Sequence, residues 1–353
     1  MISIVITNHN YARFLSAAIE SALCQVRCDC EVIVVDDGST DHSRDIIQGY
    51  GTRIVPILQA QGGQASAFNR GFEACHYAGV IFLDADDVLL PDIAYRVAQV
   101  FQAQPSVAIV QYRMRVIDAQ GNQTGVSKPP PHLPLLSGDL RRHAVNFPDD
   151  LTWMATSGNA FSAAVLRRIF PIPAFDYGQV GADWYLSHLT RLFGPVVSLD
   201  QVGAYYRVHE SNYYEQSTSD INIARVRQTI LYSRTTHAYI QKYAEQLGIE
   251  TRPDRQGDLL STSYIANRLI SLRLDPGQHP LAGDTASGLF ILGIRAARRR
   301  FDISPVMQVM FVVWFALMAV VPKFLARPLA VKFMFPETRG SFNRWLGALH
   351  PPR

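Results

Sequence analysis

The sequence predicts an α/β fold: a Rossmann-like, mostly parallel sheet flanked by helices, with a helical extension at the carboxyl end. Three observations carry this. Short β-branched runs at 2–6, 31–35 and 80–83 alternate with amphipathic stretches, the order that builds a doubly wound sheet. Two of these runs stop abruptly on acids, Asp36-Asp37 and Asp84-Ala85-Asp86-Asp87. Four consecutive large apolar residues, Val80, Ile81, Phe82 and Leu83, read as a strand buried on both faces, which needs helices on both sides of the sheet.

Ligands of open α/β sheets bind at the carboxyl edge, and an Asp-x-Asp there can hold a divalent cation on a nucleotide diphosphate through hard oxygen ligands. Equally, Asp86 and Asp87 can cap the next helix or fill a turn, as short acids after strands often do.

The chain has 353 residues, 48% of them hydrophobic, enough for one large α/β domain and a smaller appendage and unlike a disordered or fibrous protein. The net charge of +3 conceals a split, since residues from 285 onward carry ten Lys or Arg against Asp302 and Glu337. A basic tail on a mildly acidic body suggests an anionic partner for the tail. No nucleic-acid partner is expected. Cys24, Cys28, Cys30 and Cys75 are too few for a secreted disulfide framework and lack a second pair at zinc-site spacing, so they read as reduced thiols. The first residues lack a basic region and a signal-length apolar stretch, so export is not expected and a cytoplasmic location is.

Along the chain, the strand at 2–6 ends in Thr7-Asn8-His9-Asn10-Tyr11, polar groups able to bond a base or ribose. Phe14, Leu15, Ala18, Ile19, Ala22 and Leu23 then give one helical apolar face. The strand at 31–35 leads through Asp36-Asp37 into the turn and cap of Gly38-Ser39-Thr40-Asp41. A third strand is expected at 54–58. Gly62-Gly63 opens a helix and could bring backbone amides near a phosphate, although no Lys-Ser/Thr ending makes it a P-loop. No Gly-x-Gly-x-x-Gly follows the first strand, which argues against a nicotinamide or flavin domain.

Thr7 to Leu15, Ala18 to Gln25, Val34 to Asp41, Asn69-Arg70-Gly71 and Leu83 to Asp87, in that order and at those gaps, resemble a family 2 glycosyltransferase. The resemblance implies a GT-A nucleotide-diphospho-sugar transferase fold, a nucleotide-sugar donor, a Mg²⁺ or Mn²⁺ cofactor and inversion at the anomeric carbon. It puts Thr7, His9 and Asp37 on the uridine of a UDP-sugar, with Asn10 and Asn69 also toward the donor. Asp36 is either part of that contact or structural. His9 stands where an aromatic, often Tyr, is common. Asp84 and Asp86 match the Asp-x-Asp, with Asp86 the direct metal ligand and Asp84 or Asp87 near the ribose and sugar.

A helix is expected from Pro91 to Gln104, then a strand over 107–112 continuing to 116. The proline-rich stretch between Ser127 and Pro148 reads as a surface loop over the acceptor side. Ser157 to Phe161 resembles the family's small-residue segment lining the sugar pocket, followed by a helix at 163–169. In Gly181-Ala182-Asp183-Trp184, an acid in a helical first turn is favoured by the macrodipole whatever its job. The resemblance makes Asp183 the catalytic base, while the family's usual preceding Glu is Ala182 here. His209, in Tyr205-Tyr206-Arg207-Val208-His209-Glu210-Ser211-Asn212, would contact the metal or the pyrophosphate; a lone His elsewhere is more often structural. No Gln-x-x-Arg-Trp follows Asp183, as it does in polymer-making members, so transfer of a single sugar is expected.

Helices are expected at 220–247, 258–274 and 287–300. Residues 306–321 contain only Gln308 as a polar residue and would reach roughly 24 Å as a helix, short of a hydrocarbon core of about 30 Å. With Lys323, Arg327, Lys332 and Trp314 nearby, this segment lies on an anionic membrane face, spans it as a short helix, or packs in a core. The expected organisation is 1–110 for the donor half, 111–215 for the acceptor half, 216–304 for a helical extension and 305–353 for a membrane-associating tail. The acceptor is a glycan or lipid-linked hydroxyl, reached at the inner face of the cell membrane. The competing readings are a sugar nucleotidyltransferase, which would begin with a Gly-rich loop that Thr7 to Asn10 lacks, and an idle sugar-nucleotide-binding scaffold.

Overall fold

The computed structural model describes residues 1–131, 133, 135–151, 154–177, 181–210, 212 and 221–334. Ser211 and the tail from 335 on, with Arg339, Arg344 and Arg353, lie outside them. The chain divides into two units, Met1–Arg142 with Thr152–Asn212, and His143–Leu151 with Tyr213–Arg353.

Among the described residues of the first unit, one sheet contains β1 (Ile2–Asn8), β2 (Cys30–Asp37), β3 (Val55–Gln59), β4 (Gly79–Asp84), β5 (Val88–Leu89), β6 (Ile109–Ile117), β7 (Gln123–Lys128), β8 (Asn159–Ser162) and β9 (Val196–Arg207). The order is β3-β2-β1-β4-β8-β6-β9-β5, with β7 paired to β6. β3, β2, β1 and β4 are all parallel, whereas β8 runs antiparallel to both β4 and β6, so the far half of the sheet is mixed. The chain builds outward from β1 to β3 and then returns to β1's other side with β4. That return is the switch point beside which α/β sheets bind ligands.

Register makes the edge flush. Thr7 lies opposite both Val35 and Asp84, and Asn8 opposite Asp36. The runs that read as buried strands are so: Val80 to Leu83 are wholly buried, as are Ile33 to Val35. β3 exposes Val55 and Leu58 at the sheet's rim, where Pro56 costs no ladder bond.

Helix Ala12–Leu23 buries Phe14, Leu15, Ala18, Ile19 and Ala22, the face expected from their spacing. On helix Gln64–Glu73, Phe68 stacks on Phe82 of β4 with ring centroids 4.3 Å apart, so this helix is fixed directly over the strand that ends in acids.

Between Ser127 and Pro148 the described residues from Pro129 to Leu140 run as the expected loop, and a side chain of the sheet holds part of it. Prolines offer carbonyls but no N–H, and the nearly buried Arg113 supplies the donors: Nη1 donates to the carbonyls of Pro129 and Pro130 (both 3.1 Å), Nη2 to that of Leu133 (3.0 Å). Residues Arg141–Asn146 then form a helix.

The second unit is helical: Ile223–Gln246, Thr262–Leu274, Ala286–Arg299, Pro305–Val320 and Lys323–Met334. Ile230, Ile265, Leu269, Leu289, Phe315, Met318, Ala326 and Ala330 share one core. Phe315 and Met318 therefore bury one side of the apolar 306–321 segment in protein. Among the described residues no helix is long and apolar enough to cross a membrane. Arg268 is wholly buried here, with Asp284 and Asp258 as partners at 2.5 and 3.4 Å, so its charge is compensated in place.

Candidate active site

Where β4 leaves the sheet the chain makes a tight acid turn, the Asp87 N–H donating to the Asp84 carbonyl (3.0 Å). The end of β9 holds this turn from the other side. The Arg207 N–H donates to Asp87 Oδ1 (2.9 Å), and its guanidinium Nε to the Asp86 carbonyl (2.8 Å). Asp86 Oδ2 meets His209 Nε2 at 3.0 Å and accepts from Asn212 Nδ2 at 3.1 Å. His209 also packs against Phe14, ring centroids 4.7 Å apart. Asp87 Oδ2 is buried without a hydrogen-bond partner.

Three carboxylates this close strain one another. Asp84 is held well above the usual carboxylate range by burial and by the charges of Asp86 and Asp183, and Asp87 by burial and the charges of Asp86 and Asp84. The Lys128 ammonium, 3.9 Å from the Tyr206 ring, is pushed down to about 8 by burial, with the Asp87 charge pulling the other way.

Asp183 sits in the first turn of helix Ala182–Leu189, a favourable place for a negative charge. Gly181, at φ 115°, turns the chain into that helix. The two free N–H groups at its start, Gly181 and Ala182, both donate to Gln64 Oε1 (2.9 and 3.1 Å). Asp183 accepts from the Trp184 N–H (2.8 Å), and burial pushes its carboxyl up to about 6 against the pull of that N–H and of Thr156. Since the Asp183 charge acts on Asp84, Asp183 and the acid turn share one electrostatic site.

At the ends of β1 and β2 the expected nucleotide contacts divide. Asp37 Oδ1 accepts from Gln59 Nε2 (2.6 Å) and the Gly62 N–H (2.8 Å), Oδ2 from the Gly63 N–H (2.8 Å), so Oδ2 keeps one acceptor site. Gly38, at φ 76°, lets the loop pass: a Cβ there would stand 2.5 Å from the Gln61 amide nitrogen. His9 Nδ1 lies 2.8 Å from the Asp37 carbonyl, which can only accept, so Nδ1 carries the proton and Nε2 receives the Asn10 and Gln61 amides.

Thr7 stands beside Asp84 in register. Asp36 is fully buried, its Oδ1 accepting from the Ser39 N–H (3.1 Å) and Arg44 Nε (2.8 Å) and its Oδ2 from Asn8 (3.0 Å), all groups of the protein itself. Asn10 Oδ1 takes the Thr40 N–H (2.7 Å) and ties the two loops together. The Asn69 amide exchanges two bonds with the backbone of Ile172 (2.9 and 2.8 Å), which ties helix Gln64–Glu73 to the segment before Pro173.

Gln64, Arg207 and Lys128 carry no expectation from sequence. Gln64 follows the quoted double glycine, but nothing local says that its amide reaches residue 181. The Arg207 clamp spans 121 positions.

The buried acid turn and the raised Asp183 carboxyl lie where the ligands of open α/β sheets bind, at the carboxyl edge of the parallel strands. The chain belongs to glycosyl transferase family 2. That family's model matches residues 3–170. An uncharacterized glycosyltransferase of Nostoc sp. is 35% identical over 262 residues, covering 73% of this chain and 80% of the relative. Chondroitin synthase of Escherichia coli is 35% identical over 125 residues, which span 35% of this chain but only 18% of that protein. In fold, the chain is similar to Staphylococcus aureus TarS 1-349 in complex with UDP-GlcNAc, with a TM-score of 0.56 at 12% identity over 94% of this chain and 91% of that one.

Proposed function

We propose that the protein transfers one sugar from a UDP-sugar to a hydroxyl of a glycan or lipid-linked acceptor, with inversion, in polysaccharide or envelope glycan synthesis. The observation that carries this is the Asp183 carboxyl, buried, pushed up to about 6 and electrostatically linked to the acid turn. A general base works best with a pKa near the operating pH, and at pH 7 such a group is about nine-tenths ionised.

Asp183 takes the proton from the acceptor hydroxyl as that oxygen attacks the anomeric carbon from the face opposite the nucleotide. The new C–O bond forms as the bond to the diphosphate breaks, its electron pair leaving with the nucleotide, so one displacement inverts the centre. The Trp184 N–H fixes the base's orientation, and Gln64 fixes the helix that presents it. Asp37 Oδ2 retains an acceptor site suited to the imide N–H of uracil.

Among the described residues no three His, Cys, Asp or Glu side chains are set around a metal position, so the metal reading rests on the acid turn and His209 as they stand. Asp84 and Asp87 are raised by burial and then by neighbouring carboxylate charges, Asp87 keeps an unpaired oxygen, and Asp86 and His209 face each other at 3.0 Å. Asp86 and His209 would hold Mg²⁺ or Mn²⁺, whose charge would offset that of the departing diphosphate. The homologue and neighbour names, chondroitin synthase and a UDP-GlcNAc complex, support the donor class and the pathway type. Proton NMR of the product glycoside tests the reading: an anomeric configuration opposite to the donor's agrees with a single displacement, and a retained one overturns it.

A further inference from the structure

Helix Pro305–Val320 has two apolar sides. One buries Phe315 and Met318 in the core of the helical unit. The other carries Val306, Val309, Val313, Leu317 and Val320, at spacings of three and four that place them on one face, and these are 48%, 61%, 50%, 44% and 77% exposed. Phe324 and Leu325, at the start of the next helix, are 74% and 46% exposed. Elsewhere among the described residues, large exposed apolar side chains are scattered, whereas these seven fall within 20 consecutive positions. Scattered apolar side chains are normal on a surface, but a contiguous apolar face marks an interaction site.

The charge around the stripe indicates what covers it. Residues 303–334 contain Lys323, Arg327 and Lys332, all exposed, and no acid. An apolar helical face followed in the chain by three exposed cations, Lys323 nearest to it, matches the boundary of an anionic bilayer, where valines and leucines enter the acyl region and lysine meets phosphate. A protein partner would need acidic side chains around an apolar ridge. A second copy of this face would bring the same cations together. The length is also right for lying flat: the helix has 16 residues, and Phe315 and Met318 on its other side belong to its own core.

We propose that the outward face of Pro305–Val320, with Phe324 and Lys323, docks the protein parallel to an anionic lipid surface. The stripe stands independently of the transfer chemistry. It adds to that chemistry a reason for an acceptor carried on lipid, since docking would confine enzyme and acceptor to one surface.

The test is co-sedimentation of the full chain with vesicles of phosphatidylcholine alone or with about one-third phosphatidylglycerol, alongside Val309→Asp/Val313→Asp and Lys323→Glu variants. These positions are exposed, so the variants keep the fold, which unchanged far-UV circular dichroism and unchanged thermal stabilisation by UDP-sugar with Mn²⁺ would show. The expected result is binding to the phosphatidylglycerol vesicles, at least tenfold weaker in the double variant, weaker in Lys323→Glu and weakened by salt. Wild type left in the supernatant overturns the proposal. So does equal binding by the double variant, or a wild-type dimer that the double variant abolishes without any lipid binding. Loss of donor stabilisation with vesicle binding intact would count against the transfer reading alone.

Discussion

Asp183→Asn should inactivate the protein and make it more stable. The Asp183 carboxyl is raised from 3.8 to about 6 by burial, a net figure that already includes the help of the Trp184 N–H and Thr156. A shift of that size corresponds to about 3 kcal/mol held against the ionised folded state, and Asn removes the charge while keeping an oxygen for the Trp184 N–H. Because the folded pKa lies above the unfolded one, the wild type loses this stability as pH rises from about 4 to 6 and stays at the lower level above that. The variant does not lose it. Its advantage should therefore be absent near pH 4, grow through pH 6 and level off at about 2–3 kcal/mol, roughly 5–10 °C in melting temperature for a unit of this size. Thermal unfolding of both proteins at half-unit pH steps reads this directly, with turnover measured in parallel. A variant no more stable than wild type at pH 7–8, or an advantage that does not depend on pH, would refute the burial argument. A variant that keeps turnover would refute the assignment of the base.

Other consequences follow from the same geometry. The kcat/KM profile should fall tenfold per pH unit below about pH 6, as one carboxylate is protonated; a flat profile down to pH 5 would place the base elsewhere. Arg207→Met removes the clamp on the Asp86 carbonyl and should cost about 2–3 kcal/mol of stability, while lowering kcat more than it raises donor KM. Denaturant unfolding and initial rates check both. Asp37→Asn puts an amide against N–H donors of the Gly62-Gly63 loop, so we expect about 1–3 kcal/mol lost and weaker UDP binding by calorimetry.

The strands and their acid ends were legible because burial on both faces and abrupt polarity are local properties of the chain. Val80 to Leu83 could hardly read otherwise, and the helix from Ala12 shows its face in its spacing. The mixed far half of the sheet was less legible, since nothing in residues 159–162 says that this strand runs against both neighbours. Roles set by distant partners leave no local trace. Asn69 sits in a stretch that resembles a family motif, yet its amide pins Ile172, 103 positions away. The proline-rich stretch reads as loop because prolines break patterns, and only the fold reveals that Arg113 donates to its carbonyls. Asp36 and Asp37 are adjacent and identical in type. Their different jobs emerge only from which one faces Arg44 and which one faces Gly62 and Gly63.

The most direct measurement is nucleotide release from a panel of UDP-, GDP- and dTDP-sugars by the purified full chain, with Mn²⁺ and a membrane glycolipid extract as acceptor, for wild type and Asp183→Asn. UDP release by wild type, with donor bound but not consumed by the variant, is the predicted result. Equal release by both proteins, or no binding of any donor by folded wild type, would contradict sugar transfer by this site.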